Sequence, residues 1–289
     1  MTAGSGLRSK SELFQRVVSA LVLAIVALAT AYLGGWLFAL VWAVLAVAIV
    51  YEWEKIVAPE QSPTMAIAMA AIVAIAAIVF RDAGVSPSFF IVAGAGAAAV
   101  LLVIAVRARE DRAKALWLCA GLVYASALLA SVVVVRSAGL IGFFAILFLF
   151  IVVWLTDIGA YFAGRTFGGP KFAPTISPKK TWSGVIGGVA CGVLCGLFVV
   201  WMASHFVRVQ VSFAHAVLAF FLSVATVYGD LFESFLKRRF GVKDAGSIIP
   251  GHGGFLDRLD GFTAAAILAG LIGTARGGAY GAAQGLLAW

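Results

Sequence analysis

The chain has 289 residues, 63% of them hydrophobic and only 12% charged, with a formal net charge of +8. Soluble globular domains run at about 45–50% apolar and about 25% charged. This composition therefore excludes a disordered chain and an ordinary soluble domain, and a mean hydropathy of +1.07 makes lipid the solvent for most of it. Three cysteines, Cys119, Cys191 and Cys195, are an odd count with two members four residues apart in an apolar run, which gives no disulfide framework.

A bilayer-crossing helix needs about 20 mostly apolar residues. In chain order the apolar runs fall at 15–33, 36–51, 64–80, 88–106, 115–135, 138–163, 184–203, 211–232 and 259–280. They predict an all-α polytopic membrane protein of about nine transmembrane helices. The first run follows Arg8, Lys10 and Arg16 and contains Ala27-Leu28-Ala29, a loose fit to a cleaved signal. It outlasts the apolar core of such a signal and another run follows at once, so it is read as a retained span. Only Gly34-Gly35 separates it from the second run, which predicts a tight reversal. In the seventh run Gly184, Gly188, Gly192 and Gly196 recur every four residues, a stripe that lets helices approach closely in lipid. Cys191 and Cys195 flank it as small packing residues. The ninth run is glycine-rich and contains Arg276, so its end is open toward Trp289.

The cations between the runs are distributed unevenly. Seventeen of the 21 Lys and Arg lie in alternate segments, starting with the N-terminus, and four in the others. Cytoplasmic segments of membrane proteins carry such an excess, so the N-terminus is expected in the cytoplasm and the C-terminus across the membrane. Topology thus accounts for most of the positive charge, and nucleic acid is not implied as a partner. Residues 1–135 read as an N-terminal set of about five spans, and 136–289 as a C-terminal catalytic region. His205 and His215 flank spans on the far side and read as interface residues.

Two polar loops stand out, both on the expected cytoplasmic side. The first holds Asp157, Gly164, Arg165, Ser177, Lys179, Lys180, Thr181 and Trp182. The second runs from Asp230 to Asp260 and holds Glu233, Ser234, Lys237, Arg238, Lys243, Asp244, His252, Gly253, Gly254, Asp257 and Arg258. Asp157 and Asp230 fall near the ends of apolar runs, where an ionisable group is costly unless it is paired or used. Asp257 and Asp260 are three apart and share a face if a helix starts there. Clustered carboxylates offer hard oxygen ligands of the kind Mg²⁺ prefers, and the interleaved cations suit phosphate oxygens. Gly251 to Gly254 can turn backbone N–H groups toward an anion. A phosphate-binding loop of the Walker type is absent, because Pro170 stands where its lysine would be. No Ser–His–Asp or Cys–His arrangement is evident. Phosphoryl chemistry can proceed without one when the attacking group is itself a phosphate oxyanion.

The 27 residues from Ser234 to Asp260, with Lys237, Arg238, Lys243, Asp244, Gly246, Pro250, His252, Gly253, Gly254, Asp257 and Arg258 at fixed places, resemble the signature of the phosphatidate cytidylyltransferases, or CDP-diacylglycerol synthases. The segment from Asp157 to Trp182 is similar to that family's second landmark, with Ser183 where many members carry an acidic or amide residue. The N-terminal spans resemble the family only in being several apolar helices.

The resemblance implies about nine helices and the reaction of CTP with phosphatidate to give CDP-diacylglycerol and pyrophosphate, with Mg²⁺ and an optional second cation. It implies Asp230 and Asp257 as leading metal ligands, followed by Asp260 and Asp157. Lys237, Arg238, Lys243 and Arg258 would bind phosphates, and Ser177, Lys179 and Lys180 would line the same site. Ser234, Gly253 and Gly254 belong to the substrate-binding set, while Asp244 and His252 would orient the phosphate-binding groups. The expected location is a bacterial inner membrane, with a lipid bilayer around the chain and a second copy of it as an open partner. Two rivals remain: another CTP-using lipid enzyme such as a polyprenol kinase, and a secondary carrier. The one-sidedness of the polar residues disfavours the carrier.

Overall fold

A computed structural model describes residues 3–60, 67, 111–246, 248–249, 253–278 and 281–289, with side chains from Val18 onward. The expected spans at 64–80 and 88–106 and the motif residue His252 lie outside the described residues. The other seven expected spans are all helices: α1 (Ala3–Leu33), α2 (Gly35–Val57), α3 (Arg112–Arg136), α4 (Gly139–Phe167), α5 (Trp182–Ala203), α6 (Phe213–Arg239) and α7 (Leu256–Gly277). A short α8 (Ala282–Leu287) follows. Six of these, α2 to α7, are long and apolar enough to cross a membrane, and α1 adds the apolar stretch Val18–Leu33.

The reversal between α1 and α2 is as tight as the sequence suggests. Gly34 and Gly35 have φ of 65° and 58°, a left-handed conformation that glycine adopts without a Cβ penalty. Arg136, at the C-terminal end of α3, donates to the carbonyls of Ala31, Tyr32 and Gly139. The carbonyls of Ala31 and Tyr32 are helix-end acceptors with no partner within α1, and the Gly139 contact ties them to the start of α4.

Three expectations are corrected. The segment between α4 and α5 is not a plain loop. It folds as an antiparallel hairpin of β1 (Lys171–Ala173) and β2 (Ser177–Thr181), with Lys171 opposite Thr181 and Ala173 opposite Ser177. The apolar runs also end before their helices do. α6 continues seven residues past 232, so Glu233, Ser234, Lys237 and Arg238 are helical and not in a loop. Hydropathy stops at the first charges, but a helix continues when charges pair one turn apart, as Glu233 and Lys237 do. His215 is not an interface residue. It is fully buried, its ring closes a capping box with Ser212, and Nε2 lies 3.0 Å from the Leu287 carbonyl.

The glycine stripe of α5 faces α4. A Cβ on Gly188 would come within 2.9 Å of the Ala160 Cβ, and one on Gly196 within 2.7 Å of Val152. At Gly192 the helix meets a buried hydroxyl pair, in which Thr156 Oγ1 donates to Ser223 Oγ at 2.9 Å. A Cβ there would run into both hydroxyls and within 3.1 Å of the Val152 carbonyl. Gly192→Val is expected to push α5 away from α4 and α6 and to destabilise the protein by about 2 kcal/mol, the usual scale of overpacking. Thermal unfolding in detergent checks this, and an unchanged midpoint would contradict the close approach.

Contacts sort the helix ends into two groups. At one end, the Trp53 indole (α2) donates to the Trp117 carbonyl (α3) at 2.7 Å, Lys180 of the hairpin reaches Asp230 (α6), and Lys237 (α6) reaches Asp257 (α7). At the other end lie Arg136 on α1, His215 on α8, and Arg276 stacked 3.3 Å from the Trp289 ring. Successive helices therefore run antiparallel, and both polar motif segments come together at one end of the bundle.

Candidate active site

The site is built on the last turns of α6 and the first turns of α7. Asp230, Glu233 and Lys237 recur at spacings of three and four residues, so one face of α6 carries all three. The intervening Leu231 and Leu236 are buried in the core. Lys237 Nζ lies 2.7 Å from Glu233 Oε1 and 2.8 Å from Asp257 Oδ1, so one ammonium bridges two carboxylates on different helices. Glu233 is 3% exposed, and its Oε1 has this charge contact but no aligned hydrogen bond.

Asp257 organises the loop that joins the two helices. Its Oδ2 accepts from the backbone N–H of Ala245 at 3.1 Å and of Gly254 at 3.0 Å, and its Oδ1 accepts from Lys237. The loop closes on itself where Ile249 N–H donates to the Gly253 carbonyl at 2.9 Å. Gly253 has φ 87°, and a Cβ there would sit 3.0 Å from Asp257 Oδ2, so the turn needs glycine.

Among the described residues, one carboxylate oxygen from each of Asp230, Glu233 and Asp260 lies within 4.8 Å of the others. Asp157 stands beside this group and interacts electrostatically with Asp230 and Lys180. Lys180 Nζ is 2.6 Å from Asp230 Oδ2 and also donates to the Val227 carbonyl at 3.2 Å. Carboxylates this close repel one another. Lys180 and Lys237 supply two positive charges against the five acids Asp157, Asp230, Glu233, Asp257 and Asp260. An all-oxygen, multiply negative donor set of this kind fits a hard divalent cation, and the group can hold a metal ion. Asp257, with its oxygens occupied by protein donors, stands outside that group.

The remaining residues surround it. Arg238 donates to the Ile176 carbonyl, tying the hairpin to the end of α6. Ser177 is half-buried on β2 and Lys179 is exposed beside it. Lys243, Asp244 and Arg258 are exposed, Ser234 and Gly253 are half-buried and Gly254 is buried. Ser183, at the start of α5, donates to the Gly168 carbonyl and contacts Thr181 Oγ1, closing the hairpin against its helix. Tyr124 of α3 donates to the Asp260 carbonyl at 3.1 Å and backs α7 from behind.

Two acids in the site had no role from the sequence. Glu233 was visible as the residue one turn after Asp230 on the same helical face. Glu52, near the end of α2, is 1% exposed and accepts from the N–H groups of Phe255 and Leu256 at 3.0 and 2.8 Å. Its signal was an acid at the end of an apolar run, as for Asp230, but its partner lies two hundred residues away.

A sequence model of the cytidylyltransferase family matches residues 14–274. A phosphatidate cytidylyltransferase of Brucella suis is 41% identical over 265 residues, which is 91% of this chain and 94% of that protein. Similar proteins of the same name come from Haemophilus influenzae, 48% identical over 129 residues and 43% of each chain, and Staphylococcus haemolyticus, 45% identical over 121 residues, 42% of this chain and 45% of that protein.

Proposed function

The chain belongs to the cytidylyltransferase family, and from that premise we propose that it transfers the cytidylyl group of CTP to phosphatidate, giving CDP-diacylglycerol and pyrophosphate. The observation that carries this reading is the carboxylate group of Asp230, Glu233 and Asp260 beside Lys180 and Lys237 at one end of a membrane bundle. A nucleotide triphosphate and a lipid phosphate both bring multiple negative charges, and both need cations and a metal to approach each other.

In this reading a phosphate oxygen of phosphatidate attacks the α-phosphorus of CTP in line. A new P–O bond forms there, the bond to the bridging oxygen breaks, and pyrophosphate leaves with that oxygen. Asp230, Glu233 and Asp260 would hold Mg²⁺, with Asp157 beside them and room in the donor set for a second cation. A bound divalent ion neutralises charge on the transferring and leaving phosphates. Lys180 and Lys237 keep the acids ordered, and the exposed Lys179, Arg238, Lys243 and Arg258 supply charge-assisted donors to phosphate oxygens. Asp257 holds the loop of Gly253 and Gly254 in place, so that backbone N–H groups can face an anion. The attacking oxyanion requires no general base.

The uneven cation count supports a cytoplasmic location for this end of the bundle, where CTP is made, and the bacterial relatives support a bacterial inner membrane. With CTP, phosphatidate and Mg²⁺ in detergent, the purified protein is expected to release pyrophosphate, and EDTA is expected to stop it. Release of CDP would instead identify a kinase. Lipid or solute flux in liposomes without CTP would identify a carrier.

A further inference from the structure

We infer that Glu52 is a positioning residue for the transfer reaction, a carboxylate on an N-terminal helix that sets the start of α7 and through it the place of Asp257 and Asp260. This rests on the function proposed above.

The start of α7 has no cap of its own. Phe255 occupies the N-cap position in a helical conformation, with no side-chain cap bond, while Arg258 and Leu259 already donate to its carbonyl. The N–H groups of Phe255 and Leu256 have no helical acceptor, as at any helix start. Glu52 takes both, one on each oxygen. A negative charge at this point also complements the positive end of the helix dipole.

The loop is shaped around this carboxylate. A Cβ on Gly246 would fall 2.7 Å from Glu52 Oε1, and one on Gly254 would fall 2.6 Å from Oε2. The backbone on both sides of the turn therefore passes directly over Glu52. One residue before Phe255, Gly254 N–H donates to Asp257 Oδ2, while Asp257 Oδ1 accepts from Lys237. Asp260 follows one helical turn beyond. α2 is held against α7 by the Trp42–Phe262 stack, with ring centroids 5.0 Å apart, so Glu52 has a firm base from which to act.

Two parallel N–H donors need two acceptors. Glutamine at this place offers one acceptor and one donor, which sets an amide against a backbone N–H. Glu52→Gln keeps size and shape but breaks one of the two contacts. Glu52→Asp keeps the charge but is one methylene too short to serve both.

The test uses the full-length protein in detergent with both variants. The expected result is faster amide hydrogen exchange in peptides covering residues 244–256, with other regions unchanged. The unfolding midpoint should fall by no more than about 5 °C, the scale of one lost buried contact, and kcat should fall about 100-fold, the usual effect of a displacement near 1 Å. KM for CTP should change by no more than about threefold. Wild-type exchange in this loop, or wild-type kcat, would overturn the inference. Loss of folded protein in both variants would also overturn it, because Glu52 would then serve folding alone. The exchange measurement needs no substrate, so it remains decisive for the contact even if the wild-type protein releases no pyrophosphate, which would defeat the proposed function instead.

Discussion

Asp260→Asn is expected to lower pyrophosphate release by about 10³-fold while leaving the protein folded. Charge neutralisation by a bound metal is worth several kcal/mol to a phosphoryl transition state, and losing about 4 kcal/mol of it corresponds to that factor. The protein should tolerate the change. Asp260 Oδ1 accepts from the neighbouring Gly261 N–H at 2.8 Å, a bond that asparagine can keep, and removal of one of three mutually repelling acids relieves strain among them. A metal titration distinguishes this from a folding defect. Mg²⁺ should raise the unfolding midpoint of the wild-type protein and have little effect on Asp260→Asn. Asp257→Asn should behave in the opposite manner. Its new amide would face Lys237 or a backbone N–H, so the midpoint should drop, but the response to Mg²⁺ should remain. Full activity of Asp260→Asn with Mg²⁺, or an equal metal response in both variants, would remove Asp260 from the metal site.

Lys237→Met is expected to be the most destabilising single change at this end of the bundle. It leaves Glu233 and Asp257, with side chains 3% and 12% exposed, without the ammonium between them. Removing one partner of a buried ion pair costs about 3–5 kcal/mol. The site is partly open, since Lys237 itself is 18% exposed, so about 3 kcal/mol is the appropriate scale. Activity should be lost as well, because the α6–α7 register depends on this bridge. Adding Glu233→Gln to Lys237→Met should recover part of the stability by removing the unpaired charge, though not the activity. Thermal unfolding in detergent checks both, and a double variant no more stable than the single one would show that uncompensated charge is not the cause.

Much of this was legible in the sequence because lipid punishes polar residues. A carboxylate at Asp157, Asp230 or Asp260 stands out in an apolar run, and the structure brings all three to one end of the bundle. The places of the seven described spans and the stripe at Gly188, Gly192 and Gly196 are legible for the same reason, since packing in a membrane depends on size and polarity along a single helix. What could not be read was pairing between helices. Asp257 and Asp260 look alike in sequence, three residues apart at a helix start. Only the loop that folds back through Ala245 and Gly254 shows that one carboxylate is committed to protein donors while the other faces the acidic group. Glu233 carries no assigned role in the sequence because the apolar run ends before it. Its i+3 spacing from Asp230 becomes meaningful only once α6 is known to continue to Arg239. The hairpin at Lys171–Thr181 gave no alternating pattern, being short and mostly polar, and its register depends on contacts with α5 and α6.

The reach from Glu52 to Phe255 spans 203 residues, and it has a consequence for how the protein is made. A ribosome adds about 5–20 residues per second, so roughly 10–40 s pass between synthesis of Glu52 and arrival of the two amides it serves. During that interval the nascent chain gains Asp157, and then Asp230 and Glu233, without Asp260 and without a fixed loop. The enzyme would therefore remain silent during translation and switch on only as its seventh described helix enters the bilayer, so a ribosome that stalls early leaves no half-active product to consume CTP.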